Sequence, residues 1–250
     1  MIFLDPPHVG EDSLRARIPS LSSHDPPPVF VSLWSGPSVH GFRASPERIG
    51  GVVVQPAHVV LGLRGWEDAF EGVLDHGTPY VLFDLEKIIR MALRQSTLAM
   101  ELLSAPIVHH AAPEFSPRDI VAGLITRQLV RAYDQMTRDV GEIIARRDAS
   151  GALCRVREML TGATLARDGV FSLHIDDLVQ NWASDELSVM VQAMRRGVAL
   201  EEDQWSALER ELKDVRARLS LEAVEALPEQ PTSYDAVHDA LVAMRLIAGH

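Results

Sequence analysis

The chain has 250 residues, 46% hydrophobic and 24% charged, which is enough apolar material for a sizeable core under an ordinary charged surface. Its formal net charge of −11 disfavours extended, sequence-independent binding to duplex DNA, whereas a nucleoside triphosphate or an RNA end needs only a few local cations. A single cysteine, Cys154, excludes an internal disulfide and a cysteine-based zinc site. No apolar run reaches the roughly 20 residues that span a membrane. The opening residues 1–7 lack the basic-then-apolar order of a secretory signal, so the expected compartment is the cytoplasm, with no membrane partner.

Residues 1–28 read as an irregular arm, because Pro6-Pro7 and Pro26-Pro27-Pro28 resist both helix and sheet interior. Residues 29–34 are β-branched and aromatic and stop at Ser35-Gly36-Pro37, the pattern of a buried strand. Two further strands are expected at 51–55 and 80–83. After Phe83 the period changes to that of a helix: Leu85, Ile88, Ile89 and Ala92 share one face.

Ser116-Pro117 is a helix start, a capping serine followed by proline in the first turn. An apolar stripe through Leu124, Ile125, Leu129, Tyr133, Met136, Val140 and Ile143 reads as one continuing helix, broken at Ala149-Ser150-Gly151. A further helix is expected to end near Leu160, with Gly162 in its C-terminal turn. Ser184 caps a helix carrying Leu187, Met190, Val191 and Met194, with Gly197 near its end. Trp205, Leu208, Leu212, Val215 and Leu219 form a seam against a neighbour, and a last helix starts near Ser233. The expected fold class is therefore α+β: a small mixed sheet module over 29–112, then a helical domain over 113–250.

Three stretches resemble nucleotidyltransferases of the DNA polymerase β-like superfamily, in the branch associated with RNA repair. The first runs Ser35-Gly36-Pro37-Ser38-Val39-His40-Gly41-Phe42-Arg43-Ala44-Ser45-Pro46-Glu47 and ends in Gly51-Val52-Val53-Val54. It is similar to the family's strand, Gly-Ser, glycine-bearing turn and Ser/Thr-Pro-Asp-Ser-Asp-x-Asp segment before Gly-Val. The second is the strand-to-helix run 80–93 followed by Leu98-Ala99-Met100-Glu101-Leu102-Leu103-Ser104-Ala105-Pro106. The third is Leu227-Pro228-Glu229-Gln230-Pro231 with the closing Asp239-Ala240-Leu241-Val242-Ala243-Met244-Arg245.

The resemblance implies transfer of a nucleotidyl group from a nucleoside triphosphate, with magnesium ions steadying the attacking and leaving oxygens. Magnesium wants hard oxygen ligands, and an Asp-x-Asp pair supplies two from one face of a strand. This chain lacks the pair. Glu47 falls where the family has a non-metal acidic residue, and the two metal positions fall on Ile49 and Gly51, or on Pro46 and Arg48 in the alternative register. The third position falls near Pro79 or Tyr80. No metal ligand is assigned, and magnesium enters only if the protein is active.

The remaining candidates follow from the same resemblance. Ser35, Gly36, Ser38, His40, Arg43 and Arg48 could hold phosphate at the glycine turn, although Pro37 removes one N–H donor. Arg155 and Arg157 fall on the family's basic helix; phosphate contact and plain exposed helix charge stand level for them. Glu47 and Asp84 are the candidate catalytic carboxylates, and Asp84 is equally placed to cap the helix after it. The run Glu67, Asp68, Glu71, Asp75 is favoured as a solvated helix face, and His109-His110 as a solvated loop. Three functions result: a degenerate pseudoenzyme binding a nucleotide, an RNA end or a protein partner; an active nucleotidyltransferase with a rebuilt carboxylate site; or a structural subunit without ligand.

Overall fold

In the computed structural model, strands β1 (Phe30–Trp34) and β2 (Ile49–Val54) pair antiparallel, Phe30 opposite Val54 and Trp34 opposite Gly50. The residues described are 30–34, 49–55, 57–60, 69–73, 79–104, 107–110, 117–182, 184–219, 227–231 and 234–247. Strand β4 (Pro79–Asp84) runs parallel to β2, with β3 (Ala69–Val73) antiparallel on its outer side and β5 (Ile107–His110) antiparallel beside β1. The order is β3-β4-β2-β1-β5, a mixed sheet of five strands. Val52, Val54 and Leu82 are fully buried, as expected of central strands covered on both faces.

The three strands expected from sequence are β1, β2 and β4, and the sheet adds two more at its edges. Glu71 of the acidic run is an exposed residue of β3, not part of a helix face. His109 and His110 belong to β5, paired with Val31 and Phe30, not to a loop. Edge strands are short and carry no clean alternation, so their pairing is not written in their own residues.

A short turn of helix, α1 (Ala57–Val60), precedes β3. After β4 come α2 (Leu85–Leu93), α3 (Thr97–Leu103) and α4 (Pro117–Leu124); Ser116 lies outside the described residues. Leu85, Ile88, Ile89 and Ala92 are the buried face of α2, as their spacing predicts. The sheet unit ends at Leu124 and takes up the chain again from Pro231, so it includes the closing helix α11 (Tyr234–Ile247). A second unit, Ile125–Gln230, is helical. The architecture is thus α+β, a small mixed sheet followed by a mostly helical half.

The helical unit departs from the sequence reading at its start. The stripe from Leu124 to Ile143 is three helices, α4, α5 (Arg127–Met136) and α6 (Val140–Ala145). The Thr126 hydroxyl accepts from the amides of Gln128 and Leu129 at 3.2 and 3.4 Å and starts α5 afresh. Ala149-Ser150-Gly151 opens a helix instead of breaking one. The Asp148 carboxylate accepts from the Gly151 amide at 2.9 Å, and a Cβ on Gly151 would fall 2.4 Å from that carboxylate.

This helix, α7 (Ala149–Asp168), runs past Gly162 and ends at Gly169, whose φ of 64° suits a left-handed cap. Gly162 is interior because a Cβ there would lie 2.9 Å from the Cβ of Tyr133 on α5. Around α7 pack α5, α6, α8 (Ile175–Trp182), α9 (Asp185–Arg195) and α10 (Glu202–Leu219). It is buried on every side from Val156 to Ala166, so it shows no polar stripe from which its length could be read. Ser184 caps α9 as expected, donating nothing and accepting from Leu187 at 3.1 Å, and Trp205, Leu208, Leu212 and Val215 of α10 are core.

Gly162→Ala is expected to cost about 1–3 kcal/mol by forcing α5 and α7 apart, seen as a lower urea midpoint. Gly141→Ala, on α6 with nothing within 4 Å of the added methyl, is expected to gain about 0.5–1 kcal/mol from helix propensity alone.

Candidate functional site

The glycine turn leaves the sheet at Trp34 and re-enters at Ile49, so Ser35, Gly36, Ser38, His40, Arg43, Glu47 and Arg48 lie outside the described residues. The strands that frame the turn are described, and they fix where it meets the sheet. Ile49 pairs with Tyr80, and Gly51 with Leu82, across the parallel β2–β4 ladder. The start of β2 and the start of β4 are therefore neighbours at one end of the sheet. That is the end where carboxylates from two adjacent strands would converge on a metal. The residues there are Ile49, Gly51, Pro79 and Tyr80, none of them a carboxylate. Among the described residues no group of three or more His, Cys, Asp or Glu could hold a metal ion, so those donors do not fit magnesium.

Tyr80 is nearly buried, and its ring lies across Gly72 of β3, where a Cβ would fall 2.5 Å from the phenol oxygen. Glycine at 72 is what lets the ring cover the neighbouring strand.

Asp84 closes β4 four residues beyond Tyr80, about 13 Å along the strand at ~3.3 Å per residue, and pairs with Val53. It is therefore at the opposite end of β4 from the glycine turn. Its side chain is fully buried and Oδ1 is engaged twice. The Glu86 amide donates to it at 2.9 Å, which makes Asp84 the N-cap of α2. Arg245 Nη2 of α11 donates to it at 2.6 Å, and Arg245 Nη1 reaches Glu86 Oε2 at 3.3 Å. Glu86 Oε1 in turn holds Arg90 through Nε at 3.1 Å and Nη2 at 2.6 Å. Asp84 Oδ2 is buried and has no hydrogen-bond partner among the described residues. Burial pushes the Asp84 carboxyl up to about 6, against the lowering pull of Arg245 and the Glu86 amide.

Arg245 stands in the closing motif quoted from the sequence, yet nothing in its neighbourhood marks its partner. The two residues are 161 positions apart, so only the docking of α11 brings them together.

Arg155 and Arg157 both lie on α7 in the helical unit. Asp139 grips Arg155 through Nε–Oδ1 at 2.8 Å and Nη2–Oδ2 at 3.0 Å, and Glu158 accepts from Nη1 at 2.7 Å. These bonds, that to Asp139 first, raise the Arg155 pKa and keep the guanidinium charged. Arg157 is only 3% exposed, with Nη2 3.5 Å from Glu158 Oε1. Neither is a plain exposed helix charge. On the same helix Cys154 is half-buried, and burial pushes its thiol up, away from reactivity.

The description "RNA repair pathway DNA polymerase beta family" fits residues 20–242, the span matched by that family's sequence model. The chain belongs to this family. Its sheet and following helices are those of a polymerase β-like nucleotidyltransferase fold. No curated protein and no solved structure matches the chain. The family match spans both the sheet unit and the helical unit, so Arg155, Arg157 and Arg245 lie within it along with β2 and β4.

Asp84→Ala removes a cap and leaves Arg245 short of a buried partner, and is expected to cost about 3 kcal/mol or more. Asp84→Asn keeps an acceptor for the Glu86 amide and is expected to cost less than half of that in the same urea titration. The pH dependence has a definite sign. The folded carboxyl at about 6 binds its proton more tightly than the unfolded one near ~3.9. Its stabilising contribution is therefore full below about pH 4 and is lost as pH rises through 6. Relative to Asp84→Asn, the wild-type chain is expected to lose up to about 3 kcal/mol between pH 4 and pH 7.5, measured as the difference between their denaturation curves.

Proposed function

We propose that this chain is a catalytically degenerate member of its family, which binds a nucleotide or an RNA end without metal-dependent transfer. The observation that carries the reading is the pairing of Ile49 with Tyr80. It joins the two strand starts that must each present carboxylates, and neither does. Catalysis of this kind rests on ions that stabilise charge at the reacting phosphate. With no carboxylate at those positions, the ions have no anchor there. A cation such as Arg48 at the turn supplies positive charge without a metal, and Ser38 and His40 supply donors. The net charge of −11 fits a small, locally held polyanion better than an extended duplex.

A second reading is an active enzyme rebuilt around Glu47 and Asp84. Its support is the Asp84 Oδ2 atom, buried with no partner among the described residues. Against it stands the engagement of Oδ1 by the α2 amide and by Arg245, at the end of β4 away from the glycine turn.

Calorimetric titration of the full chain with each nucleoside triphosphate, with and without magnesium, separates these readings. Binding whose affinity is unchanged by magnesium is the expected outcome. Binding strengthened tenfold or more by magnesium, together with nucleotidyl transfer that Asp84→Asn abolishes, would establish the rebuilt enzyme instead. No binding by any nucleotide or RNA end would leave a protein partner or a purely structural role.

A further inference from the structure

The closing helix α11 lies on the sheet unit through a narrow set of contacts. Its inward residues are Val237, Leu241 and Met244, all buried. Two more apolar residues, Val242 and Leu246, are 39% and 56% exposed, so much of the helix's apolar surface is not used in docking. Where α11 faces α2 the packing is incomplete. A cavity of about 180 Å³ lies between them, lined by Glu86, Ile89 and Arg90 on one side and His238, Leu241 and Arg245 on the other. A gap of that size withholds the dispersion contacts that a filled helix interface would make.

The polar ties at this interface are concentrated in one side chain. Arg245, in the last turn of α11, bridges Asp84 and Glu86 at the first turn of α2. Its side chain is 11% exposed and that of Asp84 1%, so the pair is screened from water, and breaking it leaves a buried charge uncompensated. Arg90 is mostly exposed and competes for Glu86 from within α2. His238 lines the same cavity.

The chain before α11 is tethered elsewhere. Arg127 donates from its amide to the Pro228 carbonyl at 3.0 Å and from Nε to the Leu227 carbonyl at 2.7 Å, both within the helical unit. The passage to the sheet unit follows at Pro231. A detached α11 would therefore remain held at residues 227–228, with the core of neither unit disturbed.

We propose that α11 is a releasable strap, pinned to the sheet unit by Arg245 and able to open as a unit while both cores stay folded. Few buried apolar residues, an unfilled interface and one dominant polar tie are the features of a segment that opens below the global unfolding threshold. Opening uncovers Ile89 and the Asp84–Glu86 corner of α2, which are shielded when α11 is docked. This holds whichever reading of the nucleotide site is correct, because the strap lies at the end of β4 away from the glycine turn.

Native-state hydrogen exchange on the full chain tests it, comparing peptides over 234–247 with peptides over β4 and α7. In the wild-type chain α11 should exchange at least about tenfold faster than β4 and α7, with a weaker dependence on added urea. Arg245→Gln should speed α11 by about a further tenfold and leave α7 unchanged. The proposal is overturned if α11 exchanges in step with β4 in the wild-type chain, a result that does not depend on any variant folding. It is equally overturned if Arg245→Gln leaves α11 exchange unaltered, or speeds every peptide alike.

Discussion

Everything at the candidate site depends on the parallel pairing of β2 with β4. Parallel neighbours cannot be joined by a tight turn, so the chain between them makes a crossover through α1 and β3 before β4 can form. The reward is a pair of central strands with both faces covered and Val52, Val54 and Leu82 shut off from solvent. The pairing also decides which residues are neighbours. It sets Ile49 beside Tyr80 at the glycine-turn end and Val53 beside Asp84 at the other. In a polymerase β-like fold the first of these junctions is where carboxylates should meet. Here it is built from residues that cannot bind a metal, and the nearest buried carboxylate on the strand belongs to the far end.

That carboxylate shows how one residue can be claimed by structure. Asp84 ends a strand, caps a helix and receives the closing arginine of the chain, all through Oδ1. Burial opposes its ionisation, and Arg245 offsets only part of that cost. The same logic governs Arg155, whose guanidinium is shared between Asp139 and Glu158. A basic residue placed by resemblance on a phosphate-facing helix is, in this protein, already satisfied by acids of its own unit.

Much of the fold could be read in the chain. The three central strands, the apolar face of α2, the cap at Ser184 and the core seam of α10 each follow from a local pattern, because each buries a face whose period shows in neighbouring residues. The failures have equally local causes. Ala69–Val73 was hidden behind the acidic residues around it, and the strand character of His109 and His110 behind their polarity. Gly162 looks like a terminus until Tyr133 is placed against it. The long stripe from Leu124 to Ile143 conceals two breaks, since three helices that bury the same kind of residue keep one apparent period.

Of the site itself, the sequence alone determined the family resemblance and the missing Asp-x-Asp pair, because both are matters of residue type and spacing along one segment. It also offered two roles for Asp84, and the capping geometry it anticipated is present. Only the tertiary structure decided that the starts of β2 and β4 are neighbours, that Arg155 is held by Asp139, and that Arg245 reaches Asp84 across 161 residues. Those contacts join parts of the chain whose local patterns carry no trace of one another. They exist because burying the apolar faces of the elements brings the strands and helices together, and the charged groups then take whatever partners that packing leaves within reach.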